Sequence, residues 1–225
     1  MPSAPEKEIL CYVTGRESLG ASAPAASLLE SIRAAIEAGV DWVQIREKDV
    51  KARELFALAR QAEAVSGSEG RTRAARVLIN DRLDVALAAG AAGVHLGRES
   101  APVRDVVRWC RAGNAPAGFL IGVSCHHIEE AREAQSAGAS YIFFGPVFET
   151  PSKRSFGPPQ GIARLAEVCR SVRLPVIAIG GLNQENAAEC LRAGAAGIAA
   201  IRLFQETRAR GALTDVVARL RDLAP

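Results

Sequence analysis

Short apolar runs alternate with longer amphipathic segments along most of this chain. The apolar runs predict eight strands, at Ile9–Thr14, Trp42–Arg46, Val77–Asn80, Gly93–Leu96, Phe119–Ser124, Tyr141–Phe144, Val176–Ile179 and Ile198–Ile201. Apolar residues at helical spacing predict eight helices, at Ala25–Gly39, Lys51–Ala64, Arg82–Ala89, Val103–Ala112, His127–Ala137, Ile162–Val172, Gln184–Ala193 and Leu213–Leu223. This alternation of strand and helix is typical of a parallel sheet covered by helices.

A repeated helix ending predicts how that sheet closes. Alanine followed by glycine ends every second predicted helix, with the glycine at Gly39, Gly90, Gly138 and Gly194. The repeats are about fifty residues apart, which is the length of two βα units. We therefore predict an α/β fold of the (βα)8 TIM-barrel type, a single domain over residues 1–225 in which residues 1–7 are a disordered N-terminal extension. A doubly wound open sheet is the alternative, but the chain has no early G-x-G-x-x-G motif.

The amino-acid composition limits which kinds of molecule this protein is expected to bind. Hydrophobic residues make up 48% of the 225 residues, but the chain has only seven Phe, two Tyr and two Trp, so the core must be mainly aliphatic. The net charge is +3 with scattered basic residues, which disfavours nucleic acid and leaves small anionic ligands open. No run reaches the roughly 18 apolar residues of a membrane helix. We therefore expect no membrane partner. The five cysteines are widely spaced and form no C-x-x-C pair, which is typical of a protein in the reducing cytoplasm.

Polar side chains collect where the predicted strands end. In a barrel of eight βα units the active site lies at the carboxyl ends of the strands. The polar residues at these ends include Gln44, Arg46, Lys48, Asn80, Asp81, His95, Arg98, Glu99, Ser100, Ser124, His126 and His127. Structural roles are the alternative: an ion-pair layer for Gln44 and Arg46, a helix cap for Asp81, and a cap of the next helix for either His126 or His127.

The loop after the sixth strand has the composition of a phosphate site. About fifteen residues follow this strand, a length that is usually functional or disordered. They include Thr150, Ser152 and Lys153, and hydroxyls beside a lysine can surround a phosphate, although a solvated surface loop is the alternative. Gly180-Gly181 after the seventh strand suits backbone amides that bind a phosphate. The combined positive charge suits a diphosphate with Mg²⁺, with Asp81 as an oxygen ligand.

Together these segments resemble the thiamine phosphate synthase family and its close relatives, the thiazole tautomerases. The matching segments are Gln44-x-Arg-Glu-Lys48, Asn80-Asp81, Gly93-Val-His-x-Gly97, Gly122-Val-Ser-x-His126, Gly145-Pro-Val-Phe-x-Thr-x-Ser-Lys153 and Ala178-Ile-Gly-Gly181. They occur in the family's order and spacing and cover essentially the whole chain. The resemblance implies a transferase that joins a hydroxymethylpyrimidine diphosphate to a thiazole phosphate and releases pyrophosphate.

The resemblance also assigns roles to individual residues. The residues that would hold the pyrimidine and its diphosphate are Gln44, Arg46, Lys48, Asn80, Ser124 and Lys153. Asp81 would bind Mg²⁺, and the junction of the two substrates would be lined by Thr150 and Ser152. The thiazole phosphate would be held by Gly181, Ile201 and Arg202. The predicted catalytic residues are Lys153, Ser124 and His126.

Two positions depart from the family pattern. The family usually has a second metal carboxylate after the fourth strand, where this chain has Ser100, so that Glu99 or water would have to replace it. Arg202 stands where the family usually has serine, and an arginine there would either bind the thiazole phosphate or block it.

Two other functions stay open at the level of sequence. A thiazole tautomerase would need neither diphosphate nor metal and would use His126 to move a proton. Tautomerases typically lack the Q-x-R-E-K and N-D motifs, both of which this chain keeps. A non-catalytic barrel that binds a phosphorylated ligand is the third candidate. The expected partners are small phosphorylated substrates, and homo-oligomer formation is left open.

Overall fold

Eight parallel strands form a closed barrel in the computed structural model, which describes residues 8–16, 25–67, 74–150, 158–209 and 211–223. The strands are β1 (Ile9–Val13), β2 (Trp42–Ile45), β3 (Arg76–Asn80), β4 (Gly93–Leu96), β5 (Leu120–Cys125), β6 (Tyr141–Phe144), β7 (Val176–Ile179) and β8 (Gly197–Ala200). Each strand pairs with the next along the chain, and β8 pairs with β1. This closure confirms the predicted (βα)8 barrel and excludes the open sheet. The predicted extension at residues 1–7 lies outside the described residues.

Helices cover the outside of the barrel. They are α1 (Ala25–Ala38), α2 (Ala52–Ser66), α3 (Leu83–Ala89), α4 (Val103–Trp109), α5 (Ile128–Ala137), α6 (Gly161–Ser171), α7 (Ala187–Arg192), α8 (Arg202–Ala209) and α9 (Leu213–Arg221). A π-helical turn, Cys110–Asn114, extends α4. Of the helices in the described part of the chain, none combines the length and the apolar character that a membrane crossing requires.

The prediction of eight helices is wrong, because α8 was missed. This helix starts directly after β8 and buries Leu203 and Phe204, whose ring packs edge-on against Tyr12 at 5.9 Å between centroids. Its buried face also includes the polar residues Gln205 and Thr207, which are 4% and 6% exposed. Polar residues at buried positions break the apolar periodicity from which helices are predicted.

The barrel interior is mainly apolar at its centre and becomes polar at the carboxyl ends of the strands. The buried interior cluster consists of Cys11, Val13, Trp42, Leu78, Tyr141, Phe143, Ile177 and Ala199. Successive side chains of a strand point to opposite faces, so Gln44 and Asn80, each two residues beyond an interior side chain, continue the same inward face. The strand ends therefore present polar groups into the mouth of the barrel.

The carboxyl group of Glu63 on α2 has a buried oxygen atom that lacks, within the described chain, a hydrogen bond to replace its contacts with water. Among the described residues its Oε1 atom has no hydrogen-bond partner. Burial raises the pKa of Glu63 from 4.5 to about 7, although the Ala92 backbone amide and Arg60 favour the charged form. Ionisation therefore costs more in the fold than in the unfolded chain, and the protein loses stability as the pH rises from about 4.5 to 7.

Replacing Glu63 with glutamine should stabilise the protein above pH 7 and change little below pH 4.5. The raised pKa corresponds to about 3 kcal/mol, and we expect roughly half of that because the side chain is partly exposed and screened. Urea unfolding at pH 8 and at pH 4.5 measures the difference, with the exposed Glu37→Gln as the control for the loss of a carboxylate. An equal effect of Glu63→Gln at both pH values would rule out this explanation.

Candidate active site

Three predicted ligand-binding residues are joined by hydrogen bonds at the ends of β2 and β3. The buried Gln44 donates from Nε2 to Asn80 Oδ1 over 2.9 Å, and Asn80 Nδ2 donates to Asp81 Oδ2 over 2.7 Å. Asp81 has φ 61°, a left-handed conformation that is uncommon outside glycine and concentrates at functional sites. Its exposed carboxylate is therefore held at the barrel mouth by its neighbours.

Ser100, the residue at the expected second carboxylate position, lies beside Asp81. Its hydroxyl donates to Asp81 Oδ1, and the Gly97 amide donates to Ser100 Oγ at 2.7 Å and to Asp81 Oδ1 at 3.2 Å. Asp81 is not the helix cap of the alternative interpretation, because α3 is preceded by Arg82 as its N-cap residue. Within the described residues no group of three or more His, Cys, Asp or Glu could hold a metal ion by itself, and Glu99 is exposed.

Arg46 and Asp81 both act electrostatically on the buried His95. Burial lowers the pKa of His95 from 6.5 to about 3, the Asp81 charge opposes this shift, and the Arg46 charge adds to it. His95 is therefore neutral at physiological pH. Arg46 is partly buried and Lys48 is exposed, so the two predicted cations both follow β2 near the same opening.

Glu47, to which the sequence assigned no role, supports the loop after β1. Its Oε1 accepts a 2.6 Å hydrogen bond from Thr14 Oγ1, and its Oε2 accepts from the Arg16 amide at 3.2 Å. Thr14 Oγ1 in turn accepts from the Arg46 amide at 2.9 Å. Burial raises the pKa of Glu47, and these hydrogen bonds oppose the shift. Glu47 thus links the ends of β1 and β2 and helps to orient Arg46.

A second buried polar chain lies deeper in the barrel. His95 Nδ1 is 3.0 Å from the Tyr141 hydroxyl, and His95 Nε2 is 2.9 Å from Ser124 Oγ. Of these three residues, only Ser124 was assigned a role from sequence. The roles of His95 and Tyr141 could have been suspected from sequence, because a histidine on the inward face of a four-residue strand requires a polar partner inside the barrel.

The two consecutive histidines after β5 have different roles. The ring Nδ1 of His126 donates to the Gly145 carbonyl oxygen, whereas His127 is the N-cap residue of α5. Glu130 in the first turn of α5 accepts from the backbone amides of both residues. The structure therefore confirms the capping interpretation, with His127 as the cap, whereas the ring of His126 faces the loop after β6.

The loop after β6 packs on the two glycines that follow β7. The Val147 amide donates to the Ile179 carbonyl at 2.9 Å, and the Phe148 amide donates to the Gly180 carbonyl at 3.0 Å. Gly181 has φ 69°, and a Cβ there would lie 2.5 Å from the Glu149 carbonyl oxygen. Only glycine fits this approach. Thr150 is buried at the end of this packed segment, whereas Ser152 and Lys153 lie outside the described residues.

The glycines after β7 adjoin the start of α8. In the described part of the chain, neither the Gly180 nor the Gly181 amide donates a hydrogen bond. β7 pairs with β8, so these amides lie near Ile201 and the exposed Arg202, where α8 begins. Free amides beside a helix N-terminus after the last two strands suit a phosphate group.

Comparison with known proteins agrees with this geometry. The family described as thiamine monophosphate synthase matches residues 10–204. The chain belongs to this family. It is 42% identical over 218 residues to a putative thiamine-phosphate synthase of Geobacter sulfurreducens, covering 95% of this chain and 96% of that protein. It is 40% identical over 225 residues to the thiamine-phosphate synthase of Roseiflexus castenholzii, covering 97% and 92%.

A solved structure supports the same assignment for this member of the thiamine monophosphate synthase family. Thiamine phosphate pyrophosphorylase from Pyrococcus furiosus has a TM-score of 0.79 and 31% sequence identity, covering 97% of this chain and 96% of its own. The similarity spans the complete barrel, so the strand ends that form the candidate site are all included.

Proposed function

We propose that this chain is a thiamine-phosphate synthase, a transferase that condenses hydroxymethylpyrimidine diphosphate with thiazole phosphate. The observation that carries the proposal is the hydrogen-bonded series from Gln44 through Asn80 to Asp81. It lies at the same barrel mouth as the amides of Gly180 and Gly181, which donate no hydrogen bond to any described residue. The first set suits a diphosphate with its metal, and the second suits a monophosphate.

The pyrimidine diphosphate is assigned to the side of the mouth formed by β2, β3 and β5. Gln44 and Asn80 orient the pyrimidine through their amides, and Arg46, Lys48 and Lys153 neutralise the diphosphate. Ser124 contributes a hydroxyl from the end of β5. Glu47 holds the backbone of Arg46 through Thr14.

The residues around Asp81 fit a Mg²⁺ ion that arrives with the substrate. Magnesium prefers oxygen ligands and is commonly held by one or two carboxylates together with substrate phosphates. Asp81 supplies one carboxylate, and Ser100 beside it supplies a hydroxyl. When bound, the ion would neutralise charge on the departing pyrophosphate. Phosphate oxygens of the substrate would have to complete the set.

The thiazole phosphate is assigned to the opposite side of the mouth. Its phosphate accepts hydrogen bonds from Gly181 and from the start of α8 at Ile201 and Arg202. Thr150 and Ser152 line the space between the substrates. The bond between the pyrimidine methylene carbon and the diphosphate oxygen breaks, and its electron pair leaves with pyrophosphate. The thiazole nitrogen then donates its lone pair to that carbon, so the chain mainly positions groups and stabilises charge.

Ser100→Asp should lower the Mg²⁺ concentration needed for half-maximal activity. Ser100 already contacts the Asp81 carboxylate, so an aspartate there adds a second charged oxygen ligand at the same place. We expect a decrease of roughly tenfold, because metal affinity depends on the number of charged ligands. The neutral Ser100→Asn is the matched control. If the two variants require the same Mg²⁺ concentration, Asp81 and Ser100 do not face the metal.

His126→Asn should leave most of the synthase activity in place. An asparagine amide can still donate to the Gly145 carbonyl that His126 Nδ1 now contacts. We expect thiamine phosphate formation to fall by less than about tenfold, whereas a tautomerase that loses its acid/base should lose on the order of 10²-fold or more. Initial rates measure the effect, with His127→Asn as the control. Complete loss of synthesis with unchanged substrate affinities would place His126 in the synthase chemistry.

Product formation tests the proposal as a whole. Purified protein with both substrates and Mg²⁺ is expected to form thiamine phosphate, and the carboxylated thiazole phosphate of the tautomerase reaction is expected to stay unchanged. The relatives described above are named as synthases or as a pyrophosphorylase, which gives the tautomerase and the non-catalytic barrel no support. Cytoplasmic location and homo-oligomer formation stay predictions.

A further inference from the structure

The buried chain of Tyr141, His95 and Ser124 runs from the barrel centre to the proposed diphosphate side of the mouth. The three residues come from the neighbouring strands β6, β4 and β5. Tyr141 and His95 are each 1% exposed, so their polar atoms must find partners within the protein. Ser124 is partly exposed at the top of the chain.

Packing holds both rings in place without any ligand. A Cβ on Gly122 would lie 2.0 Å from Tyr141 Cζ, so β5 leaves room for the tyrosine ring only because this residue is glycine. Trp42 packs edge-on against Tyr141 at 4.7 Å between centroids, and Phe143 packs against His95 at 4.3 Å. The distances from His95 to its two hydroxyl partners are therefore built into the barrel.

The direction of the hydrogen bonds follows from what each group can donate. Among the described residues, His95 Nδ1 is the sole hydrogen-bond partner of the Tyr141 hydroxyl. If Nδ1 carried the proton, the Tyr141 proton would be buried without an acceptor, which is costly. If Nε2 carries it, Tyr141 donates to Nδ1 and Nε2–H donates to Ser124 Oγ. The Tyr141 and His95 protons then both have acceptors, and the Ser124 proton is left to point onward.

We propose that Tyr141 and His95 are positioning residues that fix the Ser124 hydroxyl as a hydrogen-bond donor toward an acceptor atom of the pyrimidine diphosphate. A serine hydroxyl can otherwise turn a lone pair toward its ligand, which would repel an anionic oxygen. Because Ser124 accepts from His95, its own proton is directed to the ligand. The identity of the ligand rests on the proposed function, whereas the proton arrangement belongs to the free protein.

The protonation of His95 is measurable without any substrate. A long-range nitrogen-15 correlation spectrum distinguishes the Nε2–H from the Nδ1–H form of a neutral imidazole. We expect the Nε2–H pattern in the wild-type protein and a second population in Tyr141→Phe, which lacks the hydroxyl that requires an acceptor. Tyr12→Phe is the matched control, because Tyr12 is equally buried and bonds to Gln205 instead. A wild-type Nδ1–H pattern, or no change in Tyr141→Phe, would overturn the proposal.

Two variants of His95 test the effect on binding. The amide of His95→Gln can reach the position of Nε2 and donate to Ser124, whereas His95→Asn is too short to do so. In calorimetric titrations with inorganic pyrophosphate and, separately, with the hydroxymethylpyrimidine alcohol, His95→Asn should weaken one of them about 3- to 10-fold, the loss of one hydrogen bond. His95→Gln should restore it. Loss for pyrophosphate assigns the donor to a phosphate oxygen, and loss for the alcohol assigns it to the pyrimidine ring.

The outcomes separate this proposal from the proposed function. Unchanged affinity of His95→Asn for both probes would contradict the positioning role, even in an active synthase. A wild-type protein that shows the Nε2–H form of His95 and binds pyrophosphate, but makes no thiamine phosphate, would contradict the synthase and leave the positioning role in place. Thermal unfolding of each variant checks that the protein is folded under the conditions of the binding and NMR measurements.

Discussion

Asp81→Asn is expected to lower turnover by about 10²- to 10³-fold, the usual cost of removing a charge-stabilising group from a reaction centre. Asparagine tolerates the left-handed backbone of position 81 and can still accept from Gly97 and Ser100. The variant therefore removes the charge and the acceptor of the Asn80 amide, but it keeps the backbone conformation and the contacts of the remaining side-chain oxygen. Steady-state kinetics with increasing Mg²⁺ measure the loss, which excess metal should recover only in part.

The matched control for this variant is Asp84→Asn. Asp84 lies on α3 and pairs with Arg82, outside the hydrogen-bonded group around Asp81. The control should keep normal turnover. Activity of Asp81→Asn close to that of the wild type, or full wild-type activity in excess chelator, would remove the metal assignment and favour the tautomerase.

Lys153→Ala should also lower turnover by about 10²- to 10³-fold, because the lysine is proposed to stabilise the departing pyrophosphate. Lys153 lies outside the described residues, between the buried Thr150 and the residues Gln160 and Gly161, whose amides donate to the Pro146 and Val147 carbonyls. The described residues on either side of Lys153 are thus held beside Gly180 and Gly181, to which we assign the thiazole phosphate.

The effect of Lys153→Ala should appear in the rate rather than in thiazole phosphate binding. Its charge is assigned to the diphosphate, so the affinity for thiazole phosphate should change little. Lys51→Ala, an exposed lysine at the start of α2, is the control for the loss of a positive charge. A Lys153→Ala variant with weaker thiazole phosphate binding and an unchanged rate would assign the lysine to the other substrate.

The barrel was predictable because periodicity and topology agree. Buried parallel strands appear as continuous apolar runs, and each amphipathic helix adds one apolar face. The glycines at Gly39, Gly90, Gly138 and Gly194 all have positive φ and mark every second βα unit as predicted. The helix α8 was not predicted because Gln205 and Thr207 occupy buried positions. Hydrogen bonds from Gln205 Nε2 and Thr207 Oγ1, rather than apolar character, offset part of the cost of their burial.

The candidate site was predictable where its residues end strands. Gln44, Asn80 and Asp81 follow directly from the rule that barrel strands carry the active site at their carboxyl ends, and the structure joins them. The roles of Glu47, His95 and Tyr141 were missed, because each acts through a partner on another strand. The register between strands determines which side chains contact each other across the sheet. The periodicity along a single strand carries no information about that register.

The most direct test of the central claim is the stoichiometry of the products. Purified protein supplied with hydroxymethylpyrimidine diphosphate, thiazole phosphate and Mg²⁺ should release thiamine phosphate and pyrophosphate in equal amounts, and neither should appear when one substrate is omitted. Quantitative phosphorus NMR of the reaction follows both products together. Tight binding of both substrates without product, or conversion of a carboxylated thiazole phosphate in place of condensation, would contradict the assignment.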